Sequence, residues 1–176
     1  GLETDMRTVL EVSRELAKGC GSTAWVTTLL NVCAWFVTMS GSELQEEIWD
    51  ENPDARIAGV FAPSAKSRAA DGGLIVTGKW MWASGCLHAD WALVGVPIVD
   101  GNGNQIDQGF ALIPMADLTI EESWFVTGMM DTGSNTIVAD EVFVPHRRIV
   151  SVPSLIAGTA PSQAAGGSLA RSGFVP

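Results

Sequence analysis

Residues 74–85 read LIVTGKWMWASG, the stretch that most clearly indicates the fold of this 176-residue chain. Branched and aromatic side chains are typical of a β-strand, in which alternate residues point to the same face. Trp80, Trp82 and Ser84 are therefore expected on one face, where two indoles and a hydroxyl could hold a planar aromatic ring. The alternative is an aromatic stripe in the core of a sheet that ends at a polar turn.

Other runs typical of strands follow Pro53, and turn signals separate them. The clearest turns are Asp71-Gly72-Gly73 and residues 100–103, which read DGNG, and both are typical of hairpin loops. No helical period separates the runs, so we expect an antiparallel sheet that closes as a barrel or a sandwich. The runs are Arg56–Ala62, Leu74–Ala83, Trp91–Val96, Gly109–Pro114, Leu118–Phe125 and Thr136–Val144.

Three helices are expected in residues 1–52. The first has one apolar face and ends at Gly19. The second is expected to start near Ser22 or Thr23, whose side chains can cap it. Because it is apolar nearly all round, it is expected to be buried on most sides. The third opens with a capping-box pattern in residues 42–45, which read SELQ.

These patterns predict an α+β fold in which N-terminal helices precede an antiparallel β-barrel or sandwich. Residues 1–52 are expected to form the end of a helical domain, and residues 53–150 a middle β-barrel domain. Residues 151–176 are rich in Ala, Gly, Ser and Pro and are expected to be a linker to a further segment. The chain is therefore expected to be the middle part of a larger protein.

The composition disfavours several classes of partner and location. With 20 acidic and 10 basic residues, the chain has a formal net charge of −10, which disfavours nucleic acid and anionic membranes. The longest apolar stretch, residues 24–39, is interrupted by polar side chains and is too short to span a membrane. Three cysteines without a CxxC pair are typical of reduced thiols in the cytoplasm, and no signal peptide is expected.

Common catalytic motifs do not account for the sequence. The two histidines, His88 and His146, are far apart, and Cys86 beside His88 is too little for a metal site, so none is expected. The sequence contains no GxSxG or GxxxxGK[ST] motif and no GxGxxG after a strand. Paired carboxylates such as Glu46-Glu47 lie in polar stretches and are expected to be solvated.

Three separated motifs resemble the acyl-CoA dehydrogenase superfamily. They are Gly21–Trp25, which reads GSTAW, Gly78–Gly85, and Gly128–Ser134 followed by Asp140–Pro145. Within the superfamily, the chain most resembles the two-component flavin-dependent monooxygenases of group D, which hydroxylate phenols and other aromatic compounds. The likeness extends from about Leu2 to the terminal linker. Members of the family have helices before this region and a C-terminal helical bundle after it, and they are tetramers.

The resemblance implies a bound reduced flavin, FMN or FAD, beside Trp82 and Ser84. In the family, the hydroxyl at the position of Ser84 hydrogen-bonds flavin N5, and Trp82 meets the isoalloxazine ring. Trp25 is similar to a tryptophan that lies by the flavin and the substrate, with core packing as the alternative for this residue. Phe61 and Ala62 match a loop that approaches the pyrimidine edge of the flavin, mostly through backbone groups.

Two positions depart from the family pattern. Cys33, two helical turns past Trp25, occupies the place of a histidine that contacts the substrate hydroxyl in phenol-hydroxylating relatives. A thiol is a weak donor, so an indole-like or other fused aromatic becomes a candidate substrate, and a buried core thiol is the alternative. Met130-Asp131 replaces the Arg-Gly that relatives often have. His88 matches a common family histidine, for which we expect a structural loop role.

The resemblance implies the oxygenase component of a two-component monooxygenase, with a separate reductase that supplies reduced flavin. In the family, dioxygen adds to flavin C4a, and the resulting hydroperoxide transfers its distal oxygen to an aromatic ring. Ser84 would be catalytic because its N5 hydrogen bond would slow the release of peroxide.

Two alternatives remain open for the function. One is an acyl-CoA dehydrogenase, although that class more often has Trp-Ile-Thr-Asn where this chain has Trp82-Ala83-Ser84-Gly85. The other is a non-catalytic β-domain that packs against or binds a partner. The chain by itself is expected to bind flavin poorly and to be inactive.

Overall fold

The computed structural model describes residues 5–158, in which three helices precede the strands. The first helix begins after Asp5, whose carboxylate accepts a hydrogen bond from the Thr8 amide at 2.8 Å. The break between the first two helices falls at Cys20, next to the predicted stop at Gly19. The helices are α1 (Met6–Gly19), α2 (Gly21–Thr38) and α3 (Ser42–Trp49).

The predicted starts of the second and third helices agree with the structure to within two residues, but the predicted caps are wrong. Helix α2 begins at Gly21, ahead of the expected Ser22 or Thr23. Ser42 is the first residue of α3 and Gly41 is its N-cap, so the expected capping box does not form. Helix α2 is also less buried than its apolar composition predicts. Within residues 5–158, no helix is long and apolar enough to cross a membrane. The buried residues of α2 are Ser22, Ala24, Cys33 and Val37.

Within the described residues, eight strands form two four-stranded sheets, in the orders β1-β4-β5-β8 and β2-β3-β7-β6. Because the described strands divide into two separate sheets, the barrel alternative of the expected barrel or sandwich is not supported. The sequence pattern does not indicate β2 and β8, which are short edge strands with little apolar alternation. The strands are β1 (Ile57–Val60), β2 (Ala65–Ala70), β3 (Gly73–Ala83), β4 (Trp91–Val99), β5 (Gln105–Pro114), β6 (Thr119–Glu121), β7 (Asn135–Pro145) and β8 (Ile149–Ser151).

The expectation of wholly antiparallel pairing is wrong at one pair of strands. β1 pairs with β4 in parallel, with Ile57 opposite Trp91 and Val60 opposite Val94. The chain leaves β1 for β2 and β3 of the other sheet before it returns in β4. Because this crossover runs through the opposite sheet, the lack of a helical period between the strands did not exclude parallel pairing.

The main core lies between the two sheets and contains side chains from both. Trp80 of β3 is fully buried there, and its Nε1 donates to the Gly95 carbonyl of β4 at 3.0 Å, which links the sheets. A second cluster joins α2 and α3 to the sheet of β1, β4, β5 and β8, so the helices pack directly on that sheet. Its members include Cys33, Val37, Leu44, Ile48, Ile57, Leu93, Phe110 and Leu112.

A short helix, α4 (Val152–Ile156), follows β8 inside the segment predicted to be a linker. The Ser151 hydroxyl accepts a hydrogen bond from the Ser154 amide at 3.2 Å and donates to Asp107 at 2.7 Å. Leu155 is buried against the second core cluster. The rest of the predicted linker, residues 159–176, lies outside the described residues.

A charged cluster joins α3 to the turn before β8. Glu47 accepts hydrogen bonds from Arg147 Nε at 3.1 Å and from Arg148 Nε at 3.0 Å, and Arg148 Nη2 also contacts it. The Arg148 guanidinium lies 5.0 Å from the centroid of the Trp91 ring, on which it stacks as a cation on a π-system. The Arg148 hydrogen bond lowers the pKa of Glu47, and Arg147 adds to this effect.

We predict that Glu47→Gln destabilises the protein by about 1 kcal/mol near neutral pH, the usual size of a charge-assisted hydrogen bond on a partly exposed side chain. The folded-state pKa of Glu47 is depressed, so its contribution is present above the unfolded pKa. That contribution is lost as the pH falls through the folded pKa. Urea unfolding of both proteins over a pH series should therefore show their difference shrinking in acid.

The matched control is Glu46→Gln, which removes the same charge from the exposed neighbouring residue. This variant should unfold like the wild type to within about 0.5 kcal/mol. A destabilisation by Glu47→Gln that stays constant across the pH series would contradict a role for the Glu47 charge.

Candidate functional site

The candidate site lies where β3 ends, and the strand is irregular there. Its register with β7 shifts between Trp80 and Ala83, and Trp82 has a left-handed backbone conformation with a φ of 66°. Trp80 is fully buried, whereas Trp82 is 67% exposed. The expectation that Trp80, Trp82 and Ser84 share one face is therefore wrong, because the bulge turns Trp82 outward while Trp80 stays in the core.

The left-handed conformation of Trp82 costs about 1–2 kcal/mol, because the Cβ of an L-residue then lies too close to the backbone. The neighbouring residues hold this conformation in place. The Trp82 carbonyl accepts a hydrogen bond from the Ser84 amide at 2.9 Å, and buried Ala83 pairs with Asn135 of β7. Strained residues of this kind cluster at functional sites, and an exposed indole can stack on a planar ligand.

Ser84 is the polar centre of the site. Its hydroxyl accepts a hydrogen bond from the Trp25 indole N–H at 3.0 Å, which joins helix α2 to the end of β3. Trp25 is half exposed, so the core-packing alternative does not describe this side chain. The structure therefore brings Trp25 and Ser84 together, with Trp82 beside them along the chain.

A network of hydroxyl groups that no sequence pattern indicates continues beyond Ser84. The Ser84 and Ser134 hydroxyls are hydrogen-bonded at 2.8 Å, and the Ser134 and Thr132 hydroxyls at 2.6 Å. Thr132 donates to the Met129 carbonyl at 2.9 Å, and both Thr132 and Ser134 are buried. These residues belong to the Gly128–Ser134 motif, but small hydroxyl residues are common in turns, and only the fold shows that they meet Ser84.

Gly85 allows the three elements around Ser84 to pack closely. It has a φ of 77°, and a Cβ at this position would lie 2.9 Å from the Val26 side chain of α2. The Gly85 amide donates to the Thr132 carbonyl at 2.9 Å. A residue with a side chain at Gly85 would push α2 away from β3 and weaken the contact between Trp25 and Ser84.

Cys33 does not share the face of α2 that carries Trp25. Eight residues rotate an α-helix by two turns plus about 80°, so Cys33 faces the sheet while Trp25 faces Ser84. Cys33 is 1% exposed, and a Cβ on Gly59 of β1 would clash with its sulfur. Burial raises the pKa of Cys33 to about 12. The structure therefore favours the core-thiol alternative over the expected contact with a substrate.

Phe61 and Ala62 follow β1 and do not take part in the hydrogen bonds of the hydroxyl network. The Phe61 ring packs against Phe36 and Phe110, with centroid distances of 5.2 Å and 4.9 Å, and Ala62 is exposed. A Cβ on Gly95 would clash with the Phe61 and Ala62 carbonyls, so this glycine lets their backbone lie against β4.

The other residues singled out by the family pattern are exposed. His88 closes a 3-10 turn, and its amide donates to the Gly85 carbonyl at 2.9 Å. Met130 and Asp131 open a second 3-10 turn that ends at Thr132. Within residues 5–158, no three His, Cys, Asp or Glu side chains come together as a metal site requires.

Comparison with known proteins identifies relatives, although no protein-family model matches the chain. The chain is 41% identical over 155 residues to HsaA, the oxygenase subunit of a flavin-dependent monooxygenase from Mycobacterium tuberculosis. The match covers 88% of this chain and 39% of HsaA. A crystal structure of HsaA has a TM-score of 0.92 at 38% identity, over 97% of this chain and 47% of that one. The chain is a relative of flavin-dependent oxygenase components.

Two other relatives agree with this result. The oxygenase component of an FADH2-dependent resorcinol hydroxylase from a Rhizobium species is 39% identical over 153 residues, which are 87% of this chain and 37% of that protein. XiaF from a Streptomyces species, solved in complex with FADH2 and glycerol, has a TM-score of 0.82 at 37% identity, over 86% of this chain and 38% of that one. The chain spans about two-fifths of the length of these curated relatives.

We predict that Trp82→Gly is more stable than Trp82→Ala by about 1 kcal/mol, because glycine adopts a positive φ without the steric cost. At an ordinary strand position the order is reversed, and glycine is about 0.5–1 kcal/mol less stable than alanine. Urea unfolding of both variants measures the difference. The pair Met81→Gly and Met81→Ala, at the exposed neighbour in β3, should show the ordinary order. If Trp82→Ala is more stable than Trp82→Gly, the result contradicts a strained backbone conformation at residue 82.

We also predict that Cys20 reacts with iodoacetamide roughly tenfold or more faster than Cys33 near neutral pH. Cys20 is partly exposed at the start of α2, and hydrogen bonds from Thr23 lower its thiol pKa, whereas Cys33 is buried with a raised pKa. Mass spectrometry after brief labelling measures both rates, and labelling in urea shows that the reagent reaches each thiol once unfolded. Fast labelling of native Cys33 would contradict its burial.

Proposed function

We propose that the chain is part of the oxygenase component of a two-component flavin-dependent monooxygenase that hydroxylates an aromatic substrate. The observation that carries this proposal is the Trp25–Ser84 hydrogen bond beside exposed Trp82, in a chain related to oxygenase components. The resorcinol hydroxylase among the relatives supports an aromatic substrate. The division of these relatives into components supports a separate reductase as the partner that supplies reduced flavin.

The residues of the site fit a reduced flavin. The exposed Trp82 indole offers a surface for stacking on the isoalloxazine ring. Ser84 Oγ can accept two hydrogen bonds, and Trp25 supplies one of them. When Ser84 donates its own proton to Ser134, the second position is left for the N–H at flavin N5. The relatives that use or bind FADH2 favour FAD over FMN. Reduced flavin, when bound, would supply the activation of dioxygen and the oxygen atom for the aromatic ring.

Each of these residues has a distinct proposed role. Ser84 holds the proton at N5 and is the catalytic residue of this chain. Trp25 orients the Ser84 hydroxyl through its indole N–H and, because it is half exposed, can also contact the aromatic substrate. The backbone of Phe61 and Ala62, which lies against β4 at Gly95, is proposed to approach the edge of the flavin. Cys33 has no role in this proposal because its thiol packs against β1 at Gly59, within the second core cluster.

Large apolar side chains are exposed around the site, and they need to be covered for the reaction to exclude water. We infer that other parts of the full-length protein, in an oligomer such as a tetramer, cover this face and complete a dry pocket. Weak flavin binding by residues 1–176 alone follows from the same inference. The exposed side chains include Trp25, Trp82, Leu87, Phe125, Met129 and Met130.

In the full-length protein, Ser84→Ala is predicted to lower the product formed per oxygen consumed and to raise the peroxide released. The effect should be roughly tenfold if the lost hydrogen bond contributes about 1.4 kcal/mol. Oxygen uptake, peroxide and hydroxylated product are measured together, with reduced flavin supplied by a reductase.

Ser84→Thr is the matched control, because it keeps the hydroxyl and should keep product formation coupled to oxygen uptake. Chemically reduced flavin in place of the reductase separates a failed hydroxylation from a failed supply of flavin. Normal coupling in Ser84→Ala, with flavin still bound, would remove Ser84 from the mechanism. A wild-type protein that binds no flavin would overturn the proposed function itself.

A further inference from the structure

We propose that Thr132 and Ser134 are positioning residues that fix the direction of the Ser84 hydroxyl and so make the site select reduced over oxidised flavin. The inference rests on the proposed function, because it concerns the group that a flavin would meet at Ser84. Its basis is the network of hydroxyl groups, which extends from the exposed side of the site into the buried turn around Thr132.

Chemistry fixes the direction of the hydrogen bonds at both ends of this network. The Trp25 indole N–H can only donate, and the Met129 carbonyl can only accept. Trp25 Nε1 lies 3.0 Å from Ser84 Oγ, and Thr132 Oγ1 lies 2.9 Å from the Met129 carbonyl oxygen. We assign the single hydroxyl proton of Thr132 to this bond, which is the shortest that the Met129 carbonyl accepts. The same carbonyl also accepts from the Trp124 indole N–H at 3.1 Å and from the Thr132 amide at 3.2 Å.

The two contacts between hydroxyls, at 2.8 Å and 2.6 Å, could each run in either direction when taken alone. Each hydroxyl has one proton, however, and the Thr132 proton is already used. Ser134 must then donate to Thr132, and Ser84 must donate to Ser134. Each of the three hydroxyl groups therefore donates to the next group on the path from Ser84 to the Met129 carbonyl.

This direction determines what Ser84 can offer to a ligand. Its proton is donated to Ser134, one lone pair accepts from Trp25, and the remaining lone pair can only accept. Flavin N5 carries a hydrogen in the reduced form and a lone pair in the oxidised form. Only the reduced form can therefore hydrogen-bond Ser84, whereas the oxidised form would place two lone pairs against each other.

Burial keeps solvent from changing the direction of these hydrogen bonds. Thr132 and Ser134 are 2% and 3% exposed, so bulk water does not supply an alternative donor or acceptor for their hydroxyls. Every buried side-chain nitrogen and oxygen among the described residues has a hydrogen-bond partner. The proton order is therefore set by the protein and does not depend on solvent.

The test compares the dissociation constants of oxidised and reduced flavin for the full-length wild type, Thr132→Val and Thr132→Ser, measured anaerobically by tryptophan fluorescence. Valine lacks the hydroxyl, so Ser134 can turn its proton to Ser84, and the Ser84 proton becomes available to oxidised N5. We expect the ratio of oxidised to reduced dissociation constants to fall about tenfold, which lowers the two-electron midpoint potential of bound flavin by about 30 mV. Thr132→Ser keeps the hydroxyl and should keep the wild-type ratio.

Ser134→Ala provides a second variant in case Thr132→Val does not fold. It removes the acceptor of the Ser84 proton directly, so the ratio should fall by a similar factor. An unchanged ratio in the folded variants, with flavin still bound by the wild type, would overturn the inference and leave the proposed function in place. A wild type that binds neither form of flavin would overturn the proposed function.

Discussion

The hydrogen bond from the Trp25 indole to the Ser84 hydroxyl is the contact on which the candidate site depends. It brings a helix and the end of a strand together at one oxygen atom, and two features of the chain make it possible. The irregular end of β3 separates buried Trp80 from exposed Trp82, so that one strand serves both the core and the site. Gly85 then lets α2 approach closely enough for the indole to reach the hydroxyl.

The order and type of the long elements could be predicted from the sequence because their patterns are local. Helical and alternating periods locate the three helices and the long strands, and the Gly and Asp turn signals locate the hairpins. The edge strands β2 and β8 and the parallel pairing of β1 with β4 could not be predicted in this way. β1 and β8 pair with strands that are distant in sequence, and the crossover through the opposite sheet leaves no periodic signal. β2 pairs with its neighbour β3, but its sequence lacks the apolar alternation that would indicate a strand.

The site could be predicted only in part, for a related reason. The motifs single out Trp25, Trp82 and Ser84, and the structure places all three at the end of β3. Their orientation differs from expectation because a bulge and a positive φ override simple alternation, and no propensity scale predicts a left-handed tryptophan. Ser134 lies in one of the motifs, but its contact with Ser84 could not be predicted, because tertiary packing rather than spacing brings the two together.

The close contact between Cys33 and Gly59 has an evolutionary consequence. A glycine cannot become smaller, so an enlarged side chain at Cys33 has no compensating change available at Gly59. Helix α2 must first move away from β1 before a bulkier residue, such as the histidine of the family pattern, can be accommodated in its place. A shift of α2 must therefore precede the replacement of Cys33 by a larger side chain. Exchange between cysteine and histidine at this position depends on that backbone shift more than on the substitution itself.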